Sequence, residues 1–172
     1  MNNISNDDIT NILDNSSINK ELILEEMYVH CDILDIDPVK VKFKTKLDGT
    51  VLAMYVPSSR TIYVRRDIKL GNALLMIAHE MRHVWQIDNG HFSDNYKQRN
   101  NTTLLPYNEQ WEEIDANAYA SLYLKAFYRF GPLFNTLNDT IKSKIETREK
   151  EILNEFIKDE EELDNWKEMI LK

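Results

Sequence analysis

The sequence predicts an α+β fold, because segments with helical periodicity flank a short region with the periodicity of strands. Apolar residues recur at helical spacing over residues 18–35 and again over residues 71–88. Between them, residues 39–46 (VKVKFKTK) alternate apolar and basic side chains, as a half-exposed strand does. A helix, a small antiparallel sheet and then further helices follow one another, an order that does not fit a parallel α/β fold.

The N-terminal part is expected to contain one disordered and one helical segment. Residues 1–17 are rich in Asn, Asp and Ser, and we expect a flexible lead-in there. Residues 18–35 combine apolar residues at helical spacing with charged residues between them, which predicts an amphipathic helix. This helix is expected to end before Pro38, because the residue that precedes a proline disfavours the helical conformation.

The sheet is expected to have two or three antiparallel strands. Asp48-Gly49 predicts a hairpin turn after the first strand. Residues 50–56 (TVLAMYV) and 61–66 (TIYVRR) are rich in β-branched and aromatic residues and are separated by Pro-Ser-Ser-Arg.

The second half of the chain is expected to be helical around one long loop. A helix over 71–88 is followed by a polar, aperiodic segment over 90–106, a length that is unusual in a compact domain unless the loop covers a site. A second long helix is expected from Asn108 to Phe130. We therefore expect one domain over 18–132, with residues 133–172 as its charged helical C-terminal extension.

The charge and composition of the chain restrict the kinds of partner that we expect it to bind. The formal net charge is −8 and the sequence pI is near 5.0, so the surface repels phosphate backbones and direct nucleic-acid binding is not expected. Cys31 has no partner for a disulfide within the chain, which suits a reducing cytoplasm. The N-terminus lacks the features of a secretion signal, and the sequence has no apolar run long enough to span a bilayer. We expect a cytoplasmic protein with no membrane partner.

The stretch IAHEMRHVWQ (77–86) carries the candidate chemistry, because it places two histidines four residues apart on a helix. His79 and His83 lie on the same face, where both imidazoles can bind one ion. Zinc accepts such nitrogens at about 2.0–2.1 Å. Glu80 is placed to reach a water beside the metal without binding the metal, which is the position of a general base.

A catalytic zinc site also needs a third protein ligand. The segment WEEIDANAYA (111–120) on the next helix offers the carboxylates of Glu112, Glu113 and Asp115. Spacing along the chain leaves these three candidates open.

His-Glu-x-x-His on one helix, followed by Glu-x-x-Ala-Asn-x-Tyr-Ala on the next, resembles the gluzincin metallopeptidases and more narrowly the ImmA/IrrE family of small intracellular zinc peptidases. The resemblance spans roughly residues 36–125. It implies that Glu113 is the third ligand, with Glu112 as the alternative for a rotated helix, and that Asn117 steadies a ligand from one turn below. Arg82 is a departure, since many relatives carry Gly there.

The resemblance implies a zincin-like fold and a zinc-dependent hydrolase with a protein or peptide substrate, such as a repressor encoded beside it on a phage or other mobile element. The ligands of Zn²⁺ would be His79, His83 and Glu113, and Glu80 would transfer the proton.

Two further expectations concern the substrate. Residues 61–66 would bind an extended substrate as an added strand, and His91, Tyr96 and Tyr107 are equal candidates for the donor that stabilises the oxyanion. The alternative function is a regulatory binding protein that keeps the zincin fold and cuts little or nothing.

Overall fold

The computed structural model describes residues 6–92, 106–131, 134 and 136–156, and their architecture is α+β, as predicted. The elements in chain order are α1 (Asn6–Asn15), α2 (Lys20–Leu34), β1 (Lys40–Lys44), β2 (Ala53–Val56), β3 (Thr61–Arg65), α3 (Leu70–Asp88), α4 (Trp111–Tyr128) and α5 (Asp139–Phe156). Tyr96, most of the predicted loop over 90–106 and the C-terminal part of the predicted extension, residues 157–172, lie outside the described residues.

Helix α1 occupies most of the segment for which the sequence predicts a flexible lead-in. The side chain of Leu13 is buried in the core. The backbone N–H of Leu70 donates to the carbonyl of Ser16 at 3.0 Å, and Ser17 forms a β-bridge with Lys69. One buried leucine and these backbone contacts anchor the segment to the start of α3, a role that its polar composition does not reveal.

Helix α2 lies within the range that its apolar spacing predicts. Asn19 caps its N-terminus by accepting a hydrogen bond from the backbone N–H of Leu22. The helix ends at Asp35, whose φ of 51° is left-handed, before Pro38 begins an extended segment. Its buried face includes Ile23 and Met27, which belong to the core.

The sheet is mixed, so the predicted antiparallel arrangement is wrong for one of its two pairings. The strand order is β1-β3-β2, with β1 parallel and β2 antiparallel to β3. The central strand β3 is also the most buried of the three, with Ile62 and Val64 fully buried. Asp48-Gly49 lies in a connection between two strands that do not pair, and the hairpin turn is formed instead by residues 57–60.

Helix α3 is the central element of the fold. It packs against α1, α2, α4 and the strands β2 and β3. Ile77, Ala78, Met81 and Val84 are all fully buried on it, next to the histidines of the motif. Because α3 is enclosed on several sides, its polar residues must find partners inside the protein.

Helix α4 is buried around most of its circumference. Its alanines, Ala116, Ala118 and Ala120, are fully buried, and α4 packs against both α3 and α5. The helix begins at Trp111, with Gln110 at the cap position. Asn108, the predicted cap, lies in the 3₁₀ turn that precedes the helix. No helix of the described residues is long and apolar enough to cross a membrane.

Candidate metal centre

Helix α3 presents the three polar residues of its motif to the interior. His79, Glu80 and His83 are all buried, with between 6 and 7 % of each residue exposed. The two histidines lie one turn apart, as their spacing predicts, and their rings meet edge to face with centroids 4.6 Å apart. Their Nε2 atoms lie 3.1 Å from each other. Both imidazoles therefore direct the same nitrogen to one point.

Helix α4 brings Glu113 to that point. One carboxylate oxygen of Glu113 lies 3.3 Å from Nε2 of His83, and the other lies 3.5 Å from Nε2 of His79. The carboxylate is almost completely buried. Among the described residues, these three form the one group of His, Cys, Asp or Glu side chains whose ligand atoms could hold a metal ion.

The separations between these atoms fit a small tetrahedral ion. Ligands at about 2.0–2.1 Å from a tetrahedral zinc stand about 3.3 Å from one another. The two Nε2 atoms are 3.1 Å apart, and each lies close to a different oxygen of Glu113, at 3.3 Å for His83 and 3.5 Å for His79. Two imidazole nitrogens with one carboxylate oxygen are also a donor set that zinc accepts in catalytic sites. The residues present therefore fit a metal ion of this kind.

The electrostatics of the cluster favour a positive charge at the same point. Burial opposes protonation of His83, but the hydrogen bond and the negative charge of Glu113 outweigh burial and raise the pKa of His83 to about 9. Burial alone would raise the pKa of the Glu113 carboxyl, yet the two histidines hold it well below its ordinary value. Glu113 is therefore a buried carboxylate that needs a cation, and either a proton on an imidazole or a metal ion can supply it.

The carboxylate of Glu80 is held by the sheet. The backbone N–H of Tyr55 on β2 donates to Oε2 of Glu80 at 2.8 Å. Strand β2 pairs with β3 on one side, and the N–H of Tyr55 points to its other side. The outer edge of β2 therefore borders the metal centre.

The prediction that residues 61–66 bind substrate as an added strand is wrong. These residues form β3, which pairs with β1 on one side and with β2 on the other, so its backbone groups are already used. The strand edge beside Glu80 belongs to β2, and the N–H of Tyr55 on this edge is bonded to Glu80.

The other two carboxylates of α4 are placed away from the group of three. Asp115 is fully buried and receives hydrogen bonds from the guanidinium groups of Arg82 and Arg148. Glu112 is buried, and its backbone carbonyl accepts a hydrogen bond from the side chain of Gln86. Neither belongs to the group whose atoms converge.

Of the candidate oxyanion donors, His91 and Tyr107 are described and Tyr96 lies outside the described residues. The His91 ring stacks on Trp85 with centroids 4.9 Å apart. Tyr107 lies in the 3₁₀ turn before α4 and is half-buried.

One residue beside the histidines was missed by the sequence-based reasoning. The side-chain oxygen of Gln86 lies 2.8 Å from Nδ1 of His83. Nδ1 of His79 is buried and has no hydrogen-bond partner among the described residues. The available signal was the position of Gln86, three residues after His83 on the same helix face.

A family model described as "Putative metallopeptidase family (DUF6782)" matches residues 33–131, which include both helices of the metal centre. No curated protein and no solved structure matches the chain.

Proposed function

Because the chain belongs to this metallopeptidase family, we propose that it is a zinc-dependent peptidase of the gluzincin kind that hydrolyses peptide bonds of an intracellular protein. The proposed zinc ligands are His79, His83 and Glu113, and the proposed general base is Glu80. The resemblance to the ImmA/IrrE peptidases makes a cytoplasmic repressor the first substrate to test.

The single observation that carries the proposal is the convergence of His79, His83 and Glu113 inside the protein, with ligand atoms that all lie within 4.8 Å of one another. Glu80 follows His79 on the same helix and is buried beside them. A helix that merely carried two histidines would turn them to solvent or satisfy both rings by separate hydrogen bonds. Here both Nε2 atoms face one buried carboxylate instead.

A bound zinc ion would supply a Lewis acid that polarises the scissile carbonyl and lowers the pKa of a water molecule. Glu80 accepts a proton from the attacking water and passes it to the leaving amine. Because the N–H of Tyr55 holds Oε2 of Glu80, Oε1 is the oxygen left for this proton transfer.

Strand β2 is the proposed docking edge for the substrate backbone. In an antiparallel pair, alternate residues direct their N–H and C=O groups to one side. The backbone groups of Ala53 and Tyr55 point away from β3. The N–H of Tyr55 is bonded to Oε2 of Glu80, so the proposed contacts with a substrate are the carbonyl of Tyr55 and the N–H and carbonyl of Ala53. A substrate in extended conformation could pair with this edge, so that backbone contacts bind it without requiring one sequence.

Metal content is the first test of the proposed site. We expect about one zinc per chain in the wild-type protein and in Glu112→Gln, and a loss of bound zinc in Glu113→Gln. Elemental analysis of protein purified without chelators measures this. The two variants change adjacent, buried carboxylates in the same way, so Glu112→Gln is the matched control. Equal zinc in both variants would exclude Glu113 as the ligand, and no zinc in the wild type would exclude the function.

Glu80→Gln separates the peptidase from the alternative, a regulatory binding protein with the same fold. We expect this variant to keep its zinc and to lose about 10²–10⁴-fold in cleavage rate, because it keeps the shape of the side chain and removes the base. New protein N-termini in cells that express the wild type, compared with cells that express Glu80→Gln, reveal cleavage without knowledge of the substrate. If a zinc-loaded wild type produced no such termini, the result would favour a regulatory binding protein over a peptidase.

A further inference from the structure

We propose that Gln86 and Asp115 are positioning residues for the metal centre, which fix the orientation and the tautomer of His83 from the side opposite the metal. This inference rests on the proposed function, because it assigns these residues a purpose at the same site. In the same arrangement Arg82, which stands where many ImmA/IrrE relatives carry Gly, pairs with Asp115.

The orientation of the Gln86 amide follows from its neighbours. Its nitrogen lies 2.9 Å from the carbonyl oxygen of Glu112 and 2.8 Å from Oδ2 of Asp115, and both of these atoms can only accept hydrogen bonds. The NH₂ group must therefore face these two acceptors, and the amide oxygen must face His83.

This orientation selects one tautomer of His83. The Gln86 oxygen, which can only accept, lies 2.8 Å from Nδ1 of His83, so Nδ1 must carry a proton. In the neutral ring, Nε2 then keeps its lone pair, and Nε2 is the atom that faces Glu113 and His79. Metal-binding histidines commonly donate from their other ring nitrogen to an acceptor that sets their orientation.

Asp115 is the anchor that holds Gln86. Its two carboxylate oxygens accept from Nε of Arg82 at 2.7 Å, from Nη2 of Arg82 at 3.0 Å and from Nε of Arg148 at 2.7 Å, in addition to the Gln86 amide. The carboxylate is completely buried, and Arg82 is 1 % exposed. With four donors in place, Asp115 has little freedom to move, and neither has the amide that it holds.

The anchor joins three helices at the metal centre. Arg82 and Gln86 belong to α3, Asp115 belongs to α4, and Arg148 belongs to α5, where it also pairs with Glu155. The described part of the C-terminal extension therefore reaches the metal centre through Arg148, two hydrogen bonds away from the Gln86 amide.

The test compares zinc affinity and metal geometry in three variants. Gln86→Met keeps the length of the side chain and removes both hydrogen-bonding groups, and Asp115→Asn removes the charge of the anchor. Lys125→Met is the matched control, because Lys125 also joins α4 to α5, through Glu149 at 2.7 Å, without any contact to His83. Zinc affinity is measured by competition with a chromogenic chelator, and geometry by the ligand-field absorption of Co²⁺ in place of zinc.

We expect Gln86→Met and Asp115→Asn each to weaken zinc binding by about 10–100-fold and to change the Co²⁺ spectrum. We expect Lys125→Met to keep the wild-type values even if its melting temperature falls. If Asp115→Asn does not fold, Gln86→Met alone tests the inference, because it leaves the ion pair of Arg82 with Asp115 intact.

The inference is overturned if Gln86→Met binds zinc as tightly as Lys125→Met and gives the same Co²⁺ spectrum. In that case a wild type with one zinc per chain would still support the proposed function. Absence of zinc in the wild type would overturn both.

Discussion

The buried imidazole of His30 should make the protein sensitive to acid independently of the candidate metal centre. His30 lies on α2 with no exposed surface, and its Nδ1 atom lies 2.8 Å from the hydroxyl oxygen of Tyr119. Its ring lies against Tyr123, with centroids 4.2 Å apart. Its Nε2 atom has no hydrogen-bond partner among the described residues. Because burial penalises the charged imidazolium, it lowers the pKa of His30 from 6.5 to about 3.

The sign and size of the effect follow from proton linkage. Below pH 6.5 the unfolded chain binds a proton at His30 that the folded protein does not bind, so the free energy of unfolding falls as the pH drops from about 6.5 towards 3. Above pH 6.5 this contribution to stability is complete. At pH 5 the unfolded imidazole is almost fully protonated and the native one is neutral, so the loss at this residue is about 2 kcal/mol.

Urea denaturation of chelator-treated protein at pH 8 and pH 5 measures this loss for the wild type, His30→Gln and Tyr119→Phe. Between the two pH values, we expect the wild type to lose about 2 kcal/mol more stability than His30→Gln, which has no group to protonate. Tyr119→Phe should keep the wild-type pH dependence, because the histidine stays buried. Equal losses in the wild type and His30→Gln would refute the assignment of a buried, neutral histidine.

Three further predictions concern metal, core and N-terminus. Zinc at about 100 times its dissociation constant should stabilise the wild type by about 2.7 kcal/mol and His83→Ala much less, because a ligand that binds only the folded state shifts the folding equilibrium. Thermal denaturation with and without zinc measures this, and equal increases in the melting temperature of the two proteins would contradict it. Ile62→Ala, at a fully buried position of β3, should lower the free energy of unfolding by about 2–5 kcal/mol, whereas Met54→Ala at a position 38 % exposed should lower it by under about 1 kcal/mol. Urea denaturation separates the two, and similar costs would argue against the burial of Ile62. Leu13→Ala should cost about 2–5 kcal/mol in the same assay if α1 belongs to the core, and almost nothing if its segment were a flexible lead-in.

The helices were the part of the fold that local sequence predicted well. The apolar spacing placed α2, α3 and α4 within a few residues of their observed bounds. Helix α1 was missed, because Asn and Asp dominate its composition and its attachment depends on Leu13 and on the backbone around residues 16–17. Contacts of that kind leave no periodic pattern in the sequence.

The sheet shows where local reasoning fails. Alternation identified the strands, but Asp48-Gly49 suggested that the first two strands pair with each other, and they do not. Which strand takes the centre depends on how much apolar surface each one can bury against α3, and β3, with Ile62 and Val64, buries the most. A turn signal between two strands cannot report on that competition.

By itself, the sequence determined that His79 and His83 share one face of a helix with Glu80 beside them, because helical geometry fixes the relation of residues one turn apart. Only the tertiary structure decided that Glu113, rather than Glu112, meets the histidine pair, that β2 supplies the edge beside Glu80, and that Asp115 and Gln86 stand behind His83. These contacts join different elements of the fold, and their geometry depends on the rotation and packing of whole helices and strands against one another. No local rule contains that information.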